Sequence, residues 1–265
     1  MTRIVFLGTG GGRFSAITQK RATGGIFIDD GPSIHIDPGP GALVHSCDHG
    51  LNPSRLDGIL VSHCHPDHYN DAEILVEAMT QGGRNKRGIL AGSLSAMEGI
   101  EGPDGFFPAV SPYHQSKANK VQTLKPGDEL AIKSFKIKAT PAFHSDPSTI
   151  GFRIETKGGV ISYVSDTSPN PEVIEAHKGA RLLIMSVTRP FGMAIPYHLD
   201  TGEALTMVSQ IKPELAVFTH MGMKFVDGIS EKEALMVQNN TGVRTIAAED
   251  RMEVRLASEI AIKNP

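Results

Sequence analysis

The stretch Val61-Ser62-His63-Cys64-His65-Pro66-Asp67-His68 decides how this chain folds. It is entered from Gly58–Val61, a short apolar run of the kind that forms a buried strand. His63 and His65 are two residues apart on extended chain and therefore point to the same side. Pro66 ends the strand, and the turn behind it brings Asp67 and His68 back toward the same space. Asp71–Thr80, apolar at Ile74, Leu75, Ala78 and Met79, then has helical spacing. That helix would aim the partial positive charge of its N-terminus at the region. A solvated loop gives no reason for imidazoles to recur at this spacing.

Working outward, short apolar runs alternate with helical patterns. Ile4–Leu7 reads as a buried strand, and Gly25–Asp29 and Ser33–Asp37 flank an Asp30-Gly31-Pro32 turn as a hairpin. Glu129–Thr140, Ile150–Glu155, Val160–Val164, Leu182–Met185, Leu215–Phe218, Thr245–Ala247 and Met252–Leu256 are further strands. Asp200–Ile211 and Glu231–Asn240 are helices, the first opened by an Asp200…Glu203 capping box. With no linker-like composition shift, a single α/β domain over residues 1–265 is expected. Residues 81–119, rich in Gly, Pro and Ser, are expected to be an irregular surface insertion or lid that shapes substrate choice.

Composition narrows the function classes. The 265 residues carry a net charge of −3, with 11 His, 2 Cys and no Trp. A near-neutral balance gives no general attraction to nucleic acid or anionic membrane. Two cysteines cannot build a disulfide framework or a Cys-rich structural zinc cluster. The N-terminal apolar run is too short for an export signal, and nothing approaches the ~20 apolar residues of a membrane span. A cytoplasmic protein is the expectation.

His-x-His-x-Asp-His after a short apolar strand resembles the signature of the metallo-β-lactamase-fold hydrolases. Other motifs of that family follow in order: Asp37-Pro38-Gly39, Pro141-Ala142-Phe143-His144, Val164-Ser165-Asp166-Thr167 and Val217-Phe218-Thr219-His220. The resemblance implies an αββα sandwich, two mixed sheets face to face with helices on the outer faces. It also implies that His63, His65, His144 and Asp166 share one divalent cation. Asp67, His68 and His220 would hold a second, with Asp166 bridging. Zinc is the first expectation, and Mn or Fe also suits such a mixed donor set. Asp37 is expected behind a ligand histidine, fixing its tautomer. Cys64, between two ligands, should point away from the metals.

The branch follows from departures. Asp166 stands where β-lactamases usually carry Cys, and His65 where flavodiiron proteins carry Glu. Tyr69-Asn70-Asp71 replaces the Gly-Gly that continues the glyoxalase II signature. Leu7-Gly8-Thr9-Gly10 and His198-Leu199-Asp200-Thr201 resemble the phosphodiesterase branch, which holds the phosphoribosyl cyclic phosphodiesterase and the tRNA 3′-processing endonucleases. The interval from His144 to Asp166 is filled by two strands and leaves no room for the long arm of the tRNA enzymes. Expected, then, is hydrolysis of a small phosphodiester such as a cyclic nucleotide or cyclic phosphosugar. Asp67 would orient the nucleophile, and His198 would stabilise developing charge or protonate the leaving oxygen. A lactone or thioester hydrolase and an RNA phosphodiesterase are the alternatives, and a metal-bound sensor without turnover is a third. A homodimer is compatible with the resemblance. His45 and His49, four apart on a helix, lack a third metal partner, and His35 is expected to pack or face solvent. His177 is expected to act as a favourable charge at a helix end. His114 and the Arg84–Arg87 run would meet substrate only if residues 81–119 close over the site.

Overall fold

The computed structural model describes residues 1–102, 105–225 and 228–265. The first half runs β1 (Thr2–Gly8), α1 (Arg13–Thr18), β2 (Thr23–Asp29), β3 (Ser33–Ile36), α2 (Ala42–Asp48), β4 (Gly58–Val61), α3 (Pro66–Tyr69), α4 (Ala72–Met79), β5 (Arg87–Gly92), α5 (Leu94–Met97), α6 (Pro112–Gln115) and β6 (Ala118–Thr123). Next come β7 (Glu129–Ile132), β8 (Phe135–Pro141), β9 (Ile150–Thr156), β10 (Gly159–Val164), α7 (Pro171–His177) and β11 (Leu182–Arg189). The chain closes with β12 (Leu199–Asp200), α8 (Thr201–Ile211), β13 (Leu215–Thr219), α9 (Ile229–Thr241), β14 (Thr245–Ala247), β15 (Glu253–Leu256) and β16 (Ile260–Lys263).

These strands form two mixed sheets. One has the order β16-β15-β1-β2-β3-β4-β5-β6, the other β14-β13-β11-β10-β9-β8-β7, with β12 paired to β11. The sheets are apolar on both faces, and the period of two divides their residues between separate cores. Ile4, Phe6, Ile34, Ile36 and Leu60 meet Phe135, Ile137, Phe152, Ile161, Ile184 and Val217 in a core between the sheets. On the other face of the first sheet, Val5, Leu7, Ile59 and Val61 pack against Leu75, Val76 and Met79 of α4. On the other face of the second, Leu183, Met185 and Phe218 pack against Val173 of α7, Met207 and Val208 of α8, and Val237 of α9. Each such side chain, taken fully out of water, stabilises by about 1.5–3 kcal/mol. The fold is thus the expected pair of facing mixed sheets.

The capping box at Asp200 and Glu203 is present, and it opens α8 at Thr201. Residues 81–119 differ from the expected irregular lid. Arg87–Gly92 is a strand paired in parallel to β4, and β6, paired in parallel to β5, begins at Ala118. Part of this segment's Ser content caps helices, at Ser93 and Ser111. Pro103 and Asp104 of the segment lie outside the described residues. β16, α1 and β12 carried no clear period in the sequence, being short or half-exposed.

Within the first sheet β1, β3 and β4 run the same way, as do β8, β10, β11 and β13 within the second, and the grouped side chains beyond their ends bring these two sets of ends to one rim. In open α/β architectures, ligand sites form beyond the carboxyl ends of strands. Asp37 follows β3, His63 follows β4, His144 follows β8, Asp166 follows β10 and His220 follows β13.

Candidate metal centre

The rim gathers the seven residues singled out as ligands. His63, His65, His144 and Asp166 each offer a ligand atom, all within 4.8 Å of one another, and Asp67, His68 and His220 form a second group by the same measure. Within the first, His65 Nδ1 is 3.0 Å from both His63 Nε2 and His144 Nε2. Within the second, His220 Nε2 is 3.0 Å from His68 Nε2 and 3.1 Å from Asp67 Oδ2. Asp166 lies between the groups, Oδ2 3.9 Å from His144 Nε2 and 3.6 Å from His68 Nε2.

The outward nitrogens explain why the inner ones converge. His63 Nδ1–H donates to Ser62 Oγ at 2.9 Å, and that hydroxyl donates in turn to Asp37 Oδ2. His68 Nδ1–H donates to Asp37 Oδ2 at 2.8 Å, His144 Nδ1–H to the Tyr197 carbonyl at 2.9 Å, and His220 Nδ1–H to Thr188 Oγ1 at 3.0 Å. Protons fixed on these nitrogens leave Nε2 lone pairs facing one another. Lone pairs 3 Å apart in a buried site repel unless a cation sits among them. Asp166 Oδ1, buried and without a hydrogen-bond partner, is a second unsatisfied acceptor there. The donor set therefore fits divalent metal, with imidazole and carboxylate ligands and no thiolate.

Asp37 is the hub behind the ligands. Besides His68 and the Ser62 hydroxyl, it accepts the Ser62 N–H at 2.7 Å and the Tyr163 hydroxyl at 2.8 Å. Its place behind His68, a candidate ligand, is where the sequence reading expects it, whereas Ser62, Tyr163 and Thr188 are not legible there. Asp37, Tyr197 and His220 also adopt left-handed backbone, at φ 50°, 67° and 57°. Each such non-Gly residue costs on the order of 1–3 kcal/mol, and such strain concentrates at sites whose geometry the surrounding fold over-determines.

The Gly-rich opening turns out to belong to the site. The Gly12 N–H donates to Asp67 Oδ2 at 2.7 Å. A Cβ on Gly11 would lie 2.1 Å from His220 Cγ, so only glycine lets the ring of His220 reach its place. Asp146 joins the motifs, accepting the Cys64 N–H at 3.2 Å, the Ser95 hydroxyl, and the Ser148 N–H and hydroxyl. Burial and the Asp146 charge push the Cys64 thiol up to about 12, so it stays protonated and turned to Asp146 rather than to the ligands.

Electrostatics follow the crowding. Burial, together with the charge of neighbouring His68, holds the His63 imidazole well below its ordinary range, and burial takes His144 down to about 4. Burial also opposes protonation of His68, yet Asp67, Asp166 and Asp37 outweigh it and raise that ring. His198 Nε2 is 3.3 Å from Asp166 Oδ2, and its Nδ1–H donates to the Pro196 carbonyl at 3.1 Å. Burial disfavours its charge, but Asp166 prevails and the ring is raised.

A cavity of about 570 Å³ opens over the centre, lined by His65, Asp67, Asp166 and His198 together with Arg13, Phe14, Arg189, Ile195 and Lys224. No described residue of 81–119 lines it, so the lid expected there is not what shapes this cleft. His114 instead turns to α4, its Nδ1 3.0 Å from a Glu73 carboxylate oxygen. His177 is buried against Ser162 and, held down to about 3 by burial and the nearby Arg153, is neutral rather than a helix-end charge. His35 is buried, with its Nε2 on the Gly24 carbonyl at 2.7 Å. Among the described residues no helix is long and apolar enough to cross a membrane.

Comparison with known proteins agrees with this geometry. An uncharacterized protein of Methanocaldococcus jannaschii is 44% identical over 96% of this chain and 94% of its own length. Ribonuclease Z of Methanosarcina acetivorans is 25% identical over 97% of this chain and 98% of that one. The crystal structure of the metallo-β-lactamase fold protein YhfI from Bacillus subtilis superposes with a TM-score of 0.77 at 18% identity, covering 99% of each chain. The family model for the beta-lactamase superfamily domain matches residues 33–221, and the chain belongs to that superfamily.

Proposed function

We propose that this protein is a dinuclear metallohydrolase that cleaves a small phosphodiester. The observation that carries the reading is the convergence of two ligand groups on Asp166, with His198 beside them in an open cleft. Divalent cations held there, zinc first among them, would supply an activated water and neutralise charge on the phosphoryl oxygens. Asp67, fixed by the Gly12 N–H, orients the attacking water. His198, steadied by Pro196 and Asp166, faces the cavity and delivers a proton to the leaving oxygen.

A small substrate is favoured because β9 and β10 are joined directly through Lys157 and Gly158, without an arm to grip RNA. The similarity to a ribonuclease Z favours a second reading, cleavage of an RNA phosphodiester. The alignment with that relative runs over 312 positions against 265 residues here, so the relative carries inserted sequence that this chain lacks.

The test compares rates on bis(p-nitrophenyl) phosphate, 2′,3′- and 3′,5′-cyclic nucleotides, acyl-lactones and a tRNA precursor. His65→Ala is expected to lose metal and turnover together, and His198→Ala to keep its metal and lose turnover. A fully active His198 variant would remove that role, and a lactone rate above every phosphodiester rate would replace the reaction class.

A further inference from the structure

We propose that Arg189, Arg13 and Lys224 form a subsite for a second, non-scissile phosphate of the substrate. The inference rests on the phosphodiesterase reading and deepens it by naming the substrate class: a phosphodiester that carries another phosphate.

All three cations line the cavity that opens over the metal centre. None of them has an ion pair or a side-chain hydrogen bond among the described residues, whereas Arg3, Arg87, Arg181 and Arg255 are each engaged by a carboxylate. Arg189 is the most telling. Its Nε is enclosed and has no hydrogen-bond partner. An enclosed N–H without a partner is costly, and with Arg189 lining the cleft its guanidinium is placed to meet an anion that arrives with the ligand. Its planar fork suits two oxygens of one phosphate. It also stands on a rigid element, at the end of β11 directly after Thr188, which holds His220.

Charge counting points the same way. The acids lining this cavity are Asp67 and Asp166, both turned to the ligand groups. Cations bound there would already match the single charge of a simple diester, leaving Arg189, Arg13 and Lys224 without a counter-charge. Phe14 and Ile195 supply an apolar wall for the part of the substrate between its phosphates.

The experiment uses a chromogenic pair, thymidine 5′-(p-nitrophenyl phosphate) with and without a 3′-phosphate, on the metal-loaded protein. Wild type is expected to favour the phosphorylated ester by about tenfold or more in kcat/KM, as charge-assisted hydrogen bonds warrant. Arg189→Gln should bring the ratio near one, Arg189→Lys should retain part of it, and Lys136→Gln, on an exposed strand position, should leave it intact. Calorimetry with thymidine 3′,5′-bisphosphate against thymidine 5′-monophosphate reads the same subsite without turnover, with and without added Zn²⁺. A wild type that shows no preference in rate or binding overturns the subsite, as does a preference that survives in Arg189→Gln. Failure to hydrolyse either ester, with Arg189-dependent binding of the bisphosphate intact, overturns the phosphodiesterase reading and leaves the subsite standing.

Discussion

Gly11→Ala tests whether the Gly-rich opening is part of the metal centre. The added Cβ would lie 2.1 Å from His220 Cγ and 2.2 Å from its Cδ2 and Nδ1. Carbon atoms in contact sit about 3.5–4.0 Å apart, so the ring or the loop must withdraw by roughly 1.4 Å. Ligand distances tolerate only about 0.2 Å of error, and a misplacement of about 1 Å near the chemistry can cost 10²-fold. His220 belongs to the group with Asp67 and His68, and the three atoms nearest the added Cβ are all in its ring. On the dinuclear reading proposed above, the variant should lose one of two metal equivalents and at least about 100-fold in kcat, with the first equivalent retained. Metal content after gel filtration, measured by plasma mass spectrometry, and hydrolysis of bis(p-nitrophenyl) phosphate read the two effects. Circular dichroism checks that the fold survives. Gly12→Ala probes the backbone instead: nothing lies within 4 Å of its added Cβ, but φ 77° with ψ 160° is a region essentially confined to glycine, and a side chain there costs about 1–3 kcal/mol. A Gly11→Ala protein with two metal equivalents and wild-type turnover would falsify this account of the loop.

Three further outcomes follow from the geometry. Asp37→Asn should weaken metal binding by about 10–100-fold in a chelator competition, because it removes the anion behind His68, Ser62 and Tyr163; unchanged affinity would demote Asp37 to a turn residue. His35 and His177 are neutral in the fold, at about 4 and about 3, and protonate in the unfolded chain below about pH 6.5. Acid therefore favours unfolding, and each ring should contribute a loss of about 2 kcal/mol between pH 7.5 and 5; urea titrations of His177→Gln should show a correspondingly shallower loss, and an identical slope would contradict it. Phe152→Ala, in the core between the sheets and fully buried, should cost about 3–5 kcal/mol by urea denaturation, and a cost under about 1 kcal/mol would mean that the two sheets collapse onto the cavity.

The strands that the sequence marks well are those with both faces buried. Gly58–Val61 and Thr245–Ala247 have the limits that their apolar runs indicate, and α8 starts behind its capping Asp200. Arg87–Gly92 was hidden because its buried part is only Leu90–Gly92, set among Gly and basic residues that resemble a loop. Ala118–Thr123, at the end of its sheet, is largely polar and exposed and has no period to read. The ligands were legible for a different reason. The candidate ligands cluster just beyond the ends of apolar strands, His63, His144, Asp166 and His220 within three residues of one and the others in the turn behind His63, where a buried polar group rarely stands without a partner.

By itself, then, the sequence determined the chemistry on offer: which side chains could bind metal, and that they would gather beyond the ends of apolar strands. Spacing within a strand is a local property, and the period of two fixes it. Only the tertiary structure decided which of those side chains meet. Gly11 against His220, and Asp37 beneath Ser62 and Tyr163, are encounters between distant segments. They depend on how two sheets face each other, and the same packing made His177 neutral and left Arg189 without a counter-ion among the described residues. Burial and proximity set the charge state of such groups, and neither is a property of a residue's neighbours in sequence.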